Sequence, residues 1–233
     1  MFEKEAAGLQ KMAATQTIRI PEVIGHGATP TGAFLLLEFI ASGARNPDSW
    51  ALFGRKLAAF HQTSDPLFGW ETDNYIGSLL QYNARHEDWP GFYIAERLQP
   101  QLEMARRAGH LHAADEKAFH RLYKTIGDQC PDEPPALIHG DLWSGNFLFD
   151  EAGQPVLFDP APAFAHREMD LAMSRLFGGF DARFYRAYET EMPLAPGFGQ
   201  RLEVYQLYYL MVHVNLFGGG YIQQVRNILK RFM

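Results

Sequence analysis

Cysteine is nearly absent: Cys130 stands alone, so no disulfide can close within the chain. Positive charge is also in short supply, with 21 Lys and Arg against 27 Asp and Glu and a formal net charge of -6. A surface of that sign excludes general binding to nucleic acid or to anionic membranes, while leaving room for a local basic pocket around nucleotide phosphates. Long apolar runs are missing. The most apolar region, residues 207–222, is broken by His213, Asn215 and three glycines, which excludes a spanning helix. The opening Met1-Phe-Glu-Lys-Glu-Ala lacks the charge order and apolar core of a secretory signal, so the chain is expected to be cytoplasmic. Internal repeats and low-complexity tracts are absent as well. What is present, 47% hydrophobic residues in 233, suffices for a sizeable core in one large domain or two small lobes.

The richest stretch runs from Ile138 to Asp170. Two short apolar runs, Phe147 to Phe149 and Val156 to Phe158, flank a polar segment containing Gly153, the pattern of a tight β-hairpin. With Phe147 facing Phe158, Asn146 and Asp159 would sit opposite each other with Cα atoms about 5 Å apart. A carboxylate beside a carboxamide suits Mg²⁺, which takes one or two side-chain oxygens plus waters and phosphate oxygens. Asp141, on the loop entering the hairpin, is free to meet a substrate hydroxyl. The spacing His139-x-Asp141-x-x-x-x-Asn146 with a later Asp159 is that of kinase catalytic loops, where the first Asp is the base and the Asn and second Asp hold metal. Gly140, Trp143 and Pro160 depart from the protein-kinase wording and point to a small-molecule kinase. His139 has no second His or Cys nearby at a ligand spacing, so a brace for the loop outweighs a metal ligand.

In chain order, apolar residues Phe2, Ala6, Leu9 and Met12 predict a helix over 2–14. A strand is expected over 18–24, irregular at Pro21, then a loop over 25–32 and a buried strand over 34–37. Residues 41–48 read as a linker, followed by a helix started by Asp48 or Ser49. Residues 66–90 are too long for an idle connection and are expected to cover the substrate; for Trp70, Tyr75 and Trp89 taken singly, a place in the core is preferred. A helix over 92–108 must kink or restart at Pro100, and another starts at Asp115. Helices follow over 168–177, 182–189, 198–216 and 221–232. His213 is expected to be a hydrogen-bonded core histidine and Asn215 a helix cap.

The string His139-Gly-Asp141-Leu-Trp143-Ser-Gly-Asn146, with Phe158-Asp-Pro-Ala161, His166-Arg-Glu-x-Asp170-Leu-Ala172 and Leu176-Phe-Gly-Gly-Phe180, closely resembles the fructosamine kinase (ketosamine-3-kinase) family. Phe68-Gly-Trp70, Asp73-Asn-Tyr-Ile-Gly77 and Asn215-Leu-Phe-Gly-Gly-Gly-Tyr221 extend the likeness over nearly the whole chain. The resemblance implies an α/β (α+β) protein-kinase-like fold of two lobes: a partial N-terminal lobe over 1–40 and a mainly helical C-terminal lobe over 41–233. It implies phosphorylation of a ketosamine hydroxyl, free or protein-bound, using ATP and Mg²⁺. Asp141 would be the base and Asn146 and Asp159 the metal ligands. Glu5 matches the family's helix glutamate, and the backbone of Glu38, Phe39 and Ile40 would meet adenine. Trp143, Asn74, His213 and Asn215 would face the acceptor. Asp170 would tie down the catalytic loop, with His166, Arg167 and Glu168 as scaffold. A kinase for aminoglycosides, choline or another small alcohol shares the chemistry, and a non-catalytic remnant binding a sugar amine or a partner protein shares the fold. No Gly-rich loop or strand lysine precedes Glu5, and Lys4 and Lys11, on the same helix, are not expected to replace that lysine. The exposed edge of such a lobe invites pairing with a second copy. On this reading residues 1–233 alone show little ketosamine kinase activity in a phosphotransfer assay, and an N-terminal extension restores it.

Overall fold

The structure, a computed structural model, describes residues 1–232. It opens with helix α1 (Phe2–Ala13), whose Ala6, Leu9 and Met12 are buried as their spacing predicts. An antiparallel ribbon of β1 (Val23–Thr29) and β2 (Gly32–Leu37) follows. The expected strand over 18–24 is displaced. Pro21 has no N–H for a ladder, so the chain makes only an isolated parallel bridge from Arg19 to Val156 and enters the sheet at Val23. The expected loop is strand as far as Thr29, since the ring of Phe34 covers Gly27. Ile24, Phe34 and Leu36 lie on an exposed apolar face of the ribbon.

Helix α2 (Pro47–His61) starts one or two positions earlier than expected. Asn46 accepts the Ser49 N–H at 2.8 Å, with Pro47 in the first turn. Residues 66–90 contain a short hairpin of β3 (Asn74–Ile76) and β4 (Leu79–Gln81), and Trp70 and Trp89 are buried while Tyr75 is half-buried. The predicted helix over 92–108 is α3 (Trp89–Phe92) and α4 (Gln99–Arg107), joined by a π-helical turn over Tyr93–Leu98 that absorbs the donor missing at Pro100. Helices α5 (Ala113–Tyr123) and α6 (Ile126–Gln129) follow, and Asp115 caps the first of these by accepting the His112 N–H at 2.9 Å.

Strand β5 (Ala136–Ile138) pairs with β8 (Ala163–Ala165), bracketing the hairpin of β6 (Phe147–Phe149) and β7 (Pro155–Leu157). Phe147 and Phe149 point to the same face and sink into a nest of Trp50, Phe53, Phe180 and Phe184, with Phe53 and Phe184 ring centroids 4.9 Å apart. Gly54 lets α2 approach the backbone of α8 (Ala182–Glu191): a Cβ there would lie 2.2 Å from the Phe184 carbonyl oxygen. The last helices are α7 (Glu168–Leu176), α9 (Phe198–Phe217) and α10 (Ile222–Leu229). Helix α9 is buried almost all round, as its composition predicts. Asn215 does not cap it; its amide donates to Gln101 of α4 at 2.7 and 2.9 Å, and the helix ends at Gly218. No helix among the described residues is long and apolar enough to cross a membrane.

Helix α7 is fastened by charge. Arg201 on α9 grips Glu168 through both nitrogens, Nε at 2.7 Å and Nη2 at 2.5 Å, with both side chains almost completely buried. Arg167 pairs with Glu133 and donates to the carbonyls of Met192 and Pro193. Removing one member of a buried pair leaves the other charged and unpaired, at a cost of about 3–5 kcal/mol. Glu168→Ala is therefore expected to lower urea-unfolding stability by that order, and Glu168→Ala with Arg201→Met to recover much of it; a loss well under 1 kcal/mol in the single variant would contradict the role given to the pair.

Candidate active site

Gly140 and Asp170 shape the loop that leaves β5. Gly140 adopts φ 83°, and a Cβ there would collide with the Ala161 carbonyl oxygen at 1.9 Å, so only glycine fits. Asp170, the third residue of α7, accepts the backbone N–H of His139 at 2.7 Å and of Gly140 at 2.9 Å. Its Oδ2 also meets His61 Nε2 at 3.1 Å, and His61 Nδ1 meets the Tyr188 hydroxyl at 2.8 Å. His139 Nδ1 accepts the Asp141 N–H at 3.2 Å, which places its proton on Nε2, facing the Phe158 carbonyl at 3.0 Å. Burial pulls the His139 pKa down, so the ring is a neutral brace, as expected for it.

The hairpin register differs from the expected one. Phe147 pairs with Leu157, not Phe158, so Asn146 stands opposite Phe158 and Asp159 lies one step beyond the ladder. A one-residue slip would send Asp159 to the wrong face. The backbone turns it back: Asp159 takes a left-handed φ of 55°. Asn146 and Asp159 are thus still brought together, with Asn146 Nδ2 donating to the Asp159 carbonyl at 3.3 Å, to Asp141 Oδ2 at 2.9 Å and to the Asp141 carbonyl at 3.0 Å. Those contacts leave Asn146 Oδ1 and both Asp159 carboxylate oxygens without a protein hydrogen bond among the described residues.

Asp141 and Asp159 line a cleft of about 400 Å³ with Glu5 and Lys4 of α1, the β3–β4 tip at Tyr75, Ile76 and Gly77, and Pro160 to Pro162. Burial, and then the charge of Asp159, pushes the Asp141 carboxyl up to about 7 and raises Glu5 for the same two reasons in the same order. The Asp159 carboxylate in the cleft and Asn146 Oδ1 beside it, both lacking donors, form a set matched to a hard cation. No group of three or more His, Cys, Asp or Glu among the described residues could hold a metal alone, so two protein oxygens would be completed by water and phosphate.

The other predicted positions are distributed around this cleft. Glu38 pairs with Arg19, Phe39 is 91% exposed and Ile40 is half-buried; none of the three lines the cleft. Asn74 is on its wall, but its amide is committed to Pro162, Gln81 and Asn83. Trp143 lies exposed against Phe177, 6.5 Å between centroids, with its ring over Gly145. His213 is half-buried and bonded to the Tyr209 carbonyl at 2.8 Å, the satisfied histidine expected, within an aromatic row of Phe177, Phe217 and Tyr221. Lys11 pairs with Glu71, two turns along α1 from Lys4, and does not line the cleft. Sequence reading missed Gln81, Tyr208 and Arg97, whose polar side chains are buried behind the wall; no motif or periodicity marks them.

The profile of the fructosamine kinase family matches residues 1–233. The chain belongs to the fructosamine kinase family. Among relatives, a Synechocystis protein named "Probable ketoamine kinase" is 45% identical over 232 residues, covering 99% of this chain and 78% of its own. The chloroplastic protein-ribulosamine 3-kinase of Arabidopsis thaliana is 40% identical over 241 residues, covering 100% and 72%. The crystal structure of a Thermobifida fusca protein assigned as a fructosamine-3-kinase superposes with a TM-score of 0.90 at 35% identity, covering 99% of this chain and 79% of that one. An aminoglycoside phosphotransferase, at 16% identity and a TM-score of 0.62, shares the fold, which is kinase-like as expected.

The raised Asp141 carboxyl is a stability statement about this fructosamine kinase. A carboxyl whose folded pKa exceeds its unfolded value weakens the fold as pH climbs through the interval between them, here from about 4 in a free chain to about 7. Asp141→Asn keeps an acceptor for Asn146 Nδ2 and abolishes the charge. In metal-free protein it is expected to melt higher than the wild type at pH 8, by roughly 2–4 °C for each kcal/mol relieved, with the gap closing toward pH 4. A gap that stays constant across that range would contradict the assignment.

Proposed function

We propose that this chain transfers the γ-phosphoryl group of ATP to a sugar hydroxyl of a ketosamine, formally the 3-hydroxyl, and thereby promotes loss of the sugar from the amine. The observation that carries the reading is the placement of Asp141 and Asp159 in one cleft with Asn146 hydrogen-bonded to both, on a loop clamped by Asp170, in a member of a kinase family. Its relatives named as ketoamine and protein-ribulosamine kinases support the acceptor class over aminoglycosides or choline.

Asp141 orients the acceptor hydroxyl and takes its proton as the oxygen attacks; Asn146 Nδ2, bonded to Asp141 Oδ2 at 2.9 Å, fixes the direction of that carboxylate. Asn146 Oδ1 and the Asp159 carboxylate, both free of protein donors, would hold Mg²⁺. The ion supplies charge neutralisation for the phosphates and relieves the repulsion between Asp159 and its neighbours. Little covalent work falls to the protein, so the clamped loop contributes mainly orientation. The backbone of Glu38 to Ile40 would meet adenine. On the acceptor side, the exposed Trp143 ring and the row of Phe177, His213, Phe217 and Tyr221, with Phe177 and His213 centroids 4.7 Å apart, offer faces on which a sugar and a protonated amine pack. Work in the cytoplasm fits the bacterial relatives.

In a steady-state assay of the N-terminally extended chain with ATP and a ribulose- or fructose-lysine acceptor, Asp141→Ala is expected to lower turnover by roughly 10²–10⁴-fold while nucleotide affinity changes little. Asp159→Asn is expected to weaken Mg²⁺-nucleotide binding with the fold intact. Unchanged turnover in Asp141→Ala removes it from the mechanism, and phosphorylation of choline or an aminoglycoside in preference to the ketosamine replaces the acceptor class.

A further inference from the structure

The carboxylate of Asp159 accepts no hydrogen bond from the protein among the described residues, so its direction in the cleft is set through the backbone alone. That backbone is left-handed at Asp159, φ 55°, a conformation a non-glycine residue keeps only where its surroundings over-determine it. The residues that follow are Pro160, Ala161 and Pro162. Two prolines remove two N–H handles, and Ala161 supplies the remaining one, to the His139 carbonyl at 2.9 Å. Any further hold has to come through carbonyl oxygens. It does: Gln81 Nε2 donates to the Ala161 carbonyl at 3.1 Å, and Asn74 Nδ2 to the Pro162 carbonyl at 2.8 Å.

Both donors stand on the β3–β4 hairpin as a directly opposed pair. Gln81 Nε2 also donates to Asn74 Oδ1 at 2.8 Å, which accepts Asn83 Nδ2 at 2.9 Å as well. Behind them, the Tyr208 hydroxyl donates to Gln81 Oε1 at 2.7 Å and Arg97 Nη2 to Asn83 Oδ1 at 2.8 Å. All five residues are buried, and each amide oxygen has a donor, so every amide has one orientation only: its nitrogen faces a carbonyl that can only accept.

We propose that Gln81 and Asn74 are positioning residues for Asp159, holding its carboxylate in the cleft through the carbonyls two and three residues further on, with Tyr208 fixing the Gln81 amide and Arg97 fixing Asn83, which holds Asn74. The proposal rests on the reading in which Asp159 holds the cation. The wall of the cleft and its metal carboxylate are then one hydrogen-bonded body.

The test uses Mn²⁺ with the non-hydrolysable nucleotide AMP-PNP, free Mn²⁺ being counted by electron paramagnetic resonance, so that no turnover is needed. Gln81→Met preserves the length of the side chain and removes its donor and acceptor; it is expected to weaken Mn²⁺ binding at least fivefold, and Tyr208→Phe about twofold. Leu102→Ala, in the core of α4, serves as a control that lowers the melting temperature without touching the network, and is expected to bind Mn²⁺ like the wild type. Wild-type Mn²⁺ affinity in Gln81→Met, with a lowered melting temperature, overturns the proposal and leaves Gln81 a packing residue. If Gln81→Met does not fold, Tyr208→Phe decides, and unchanged affinity there overturns it equally. Asp159→Asn separates the two layers: if that variant binds Mn²⁺ like the wild type, the cation reading itself has failed.

Discussion

The loop at the cleft depends on one fully buried carboxylate, that of Asp170. Asp170 sits at the third position of α7, where a helix N-terminus favours negative charge, and accepts two consecutive backbone N–H groups from the loop that carries Asp141. Those amides are buried, and without an acceptor each would cost about 1–3 kcal/mol. The carboxylate in turn is fully buried and gathers a third contact from His61. Neither side is stable without the other, which is why the loop takes one shape. The constraint propagates backward: α7 is held to α9 by Glu168 and Arg201, and to the segment after α8 by Arg167. Two helices and the segment after a third therefore converge on the orientation of the Asp141 loop.

Much of this was legible in the chain because it is local. The two apolar runs around Gly153 and the polar residues at fixed offsets before and after them mark a hairpin with chemistry at one end. The register was not legible, because the runs at Phe147 and Val156 can be aligned in two ways. Asp150 decides between them. Its Oδ1 accepts the N–H of Ala152 and of Gln154 and closes a turn that pairs Phe149 with Pro155. The left-handed backbone of Asp159 restores what the shifted register takes away, and nothing in an Asp-Pro dipeptide announces it.

Pairing between distant polar residues was the other gap. Asn215 looked like a cap because it precedes a glycine-rich stretch, yet the helix continues to Phe217 and Asn215 turns to Gln101 on α4. Asn74 looked like a ligand for the acceptor because it sits in a family-like motif; its amide instead ties β3 to the segment after Asp159. Both are satisfied by partners far away in sequence, which periodicity cannot register. Where burial alone decides, as for Trp70 and Trp89, the expectation and the structure agree, while His213 is hydrogen-bonded as expected but only half-buried.

The cleft is a place where several local rules are broken together. Acidic side chains from α1, the catalytic loop and the end of the hairpin share about 400 Å³, a non-glycine residue is held left-handed, and burial and mutual repulsion keep Asp141 and Glu5 protonated longer than in water. Each of these opposes folding, and a chain selected for stability alone would replace them. They persist because the surrounding scaffold is over-built: a ring nest fixes the hairpin base, a complete amide network fixes the opposite wall, and buried ion pairs fix the helix that clamps the loop. The backbones that carry Asp141 and Asp159 are held by hydrogen bonds from several sides. Their repulsion is of the sign that positive charge brought into the cleft relieves, which is the electrostatic condition that a metal-phosphate complex would meet.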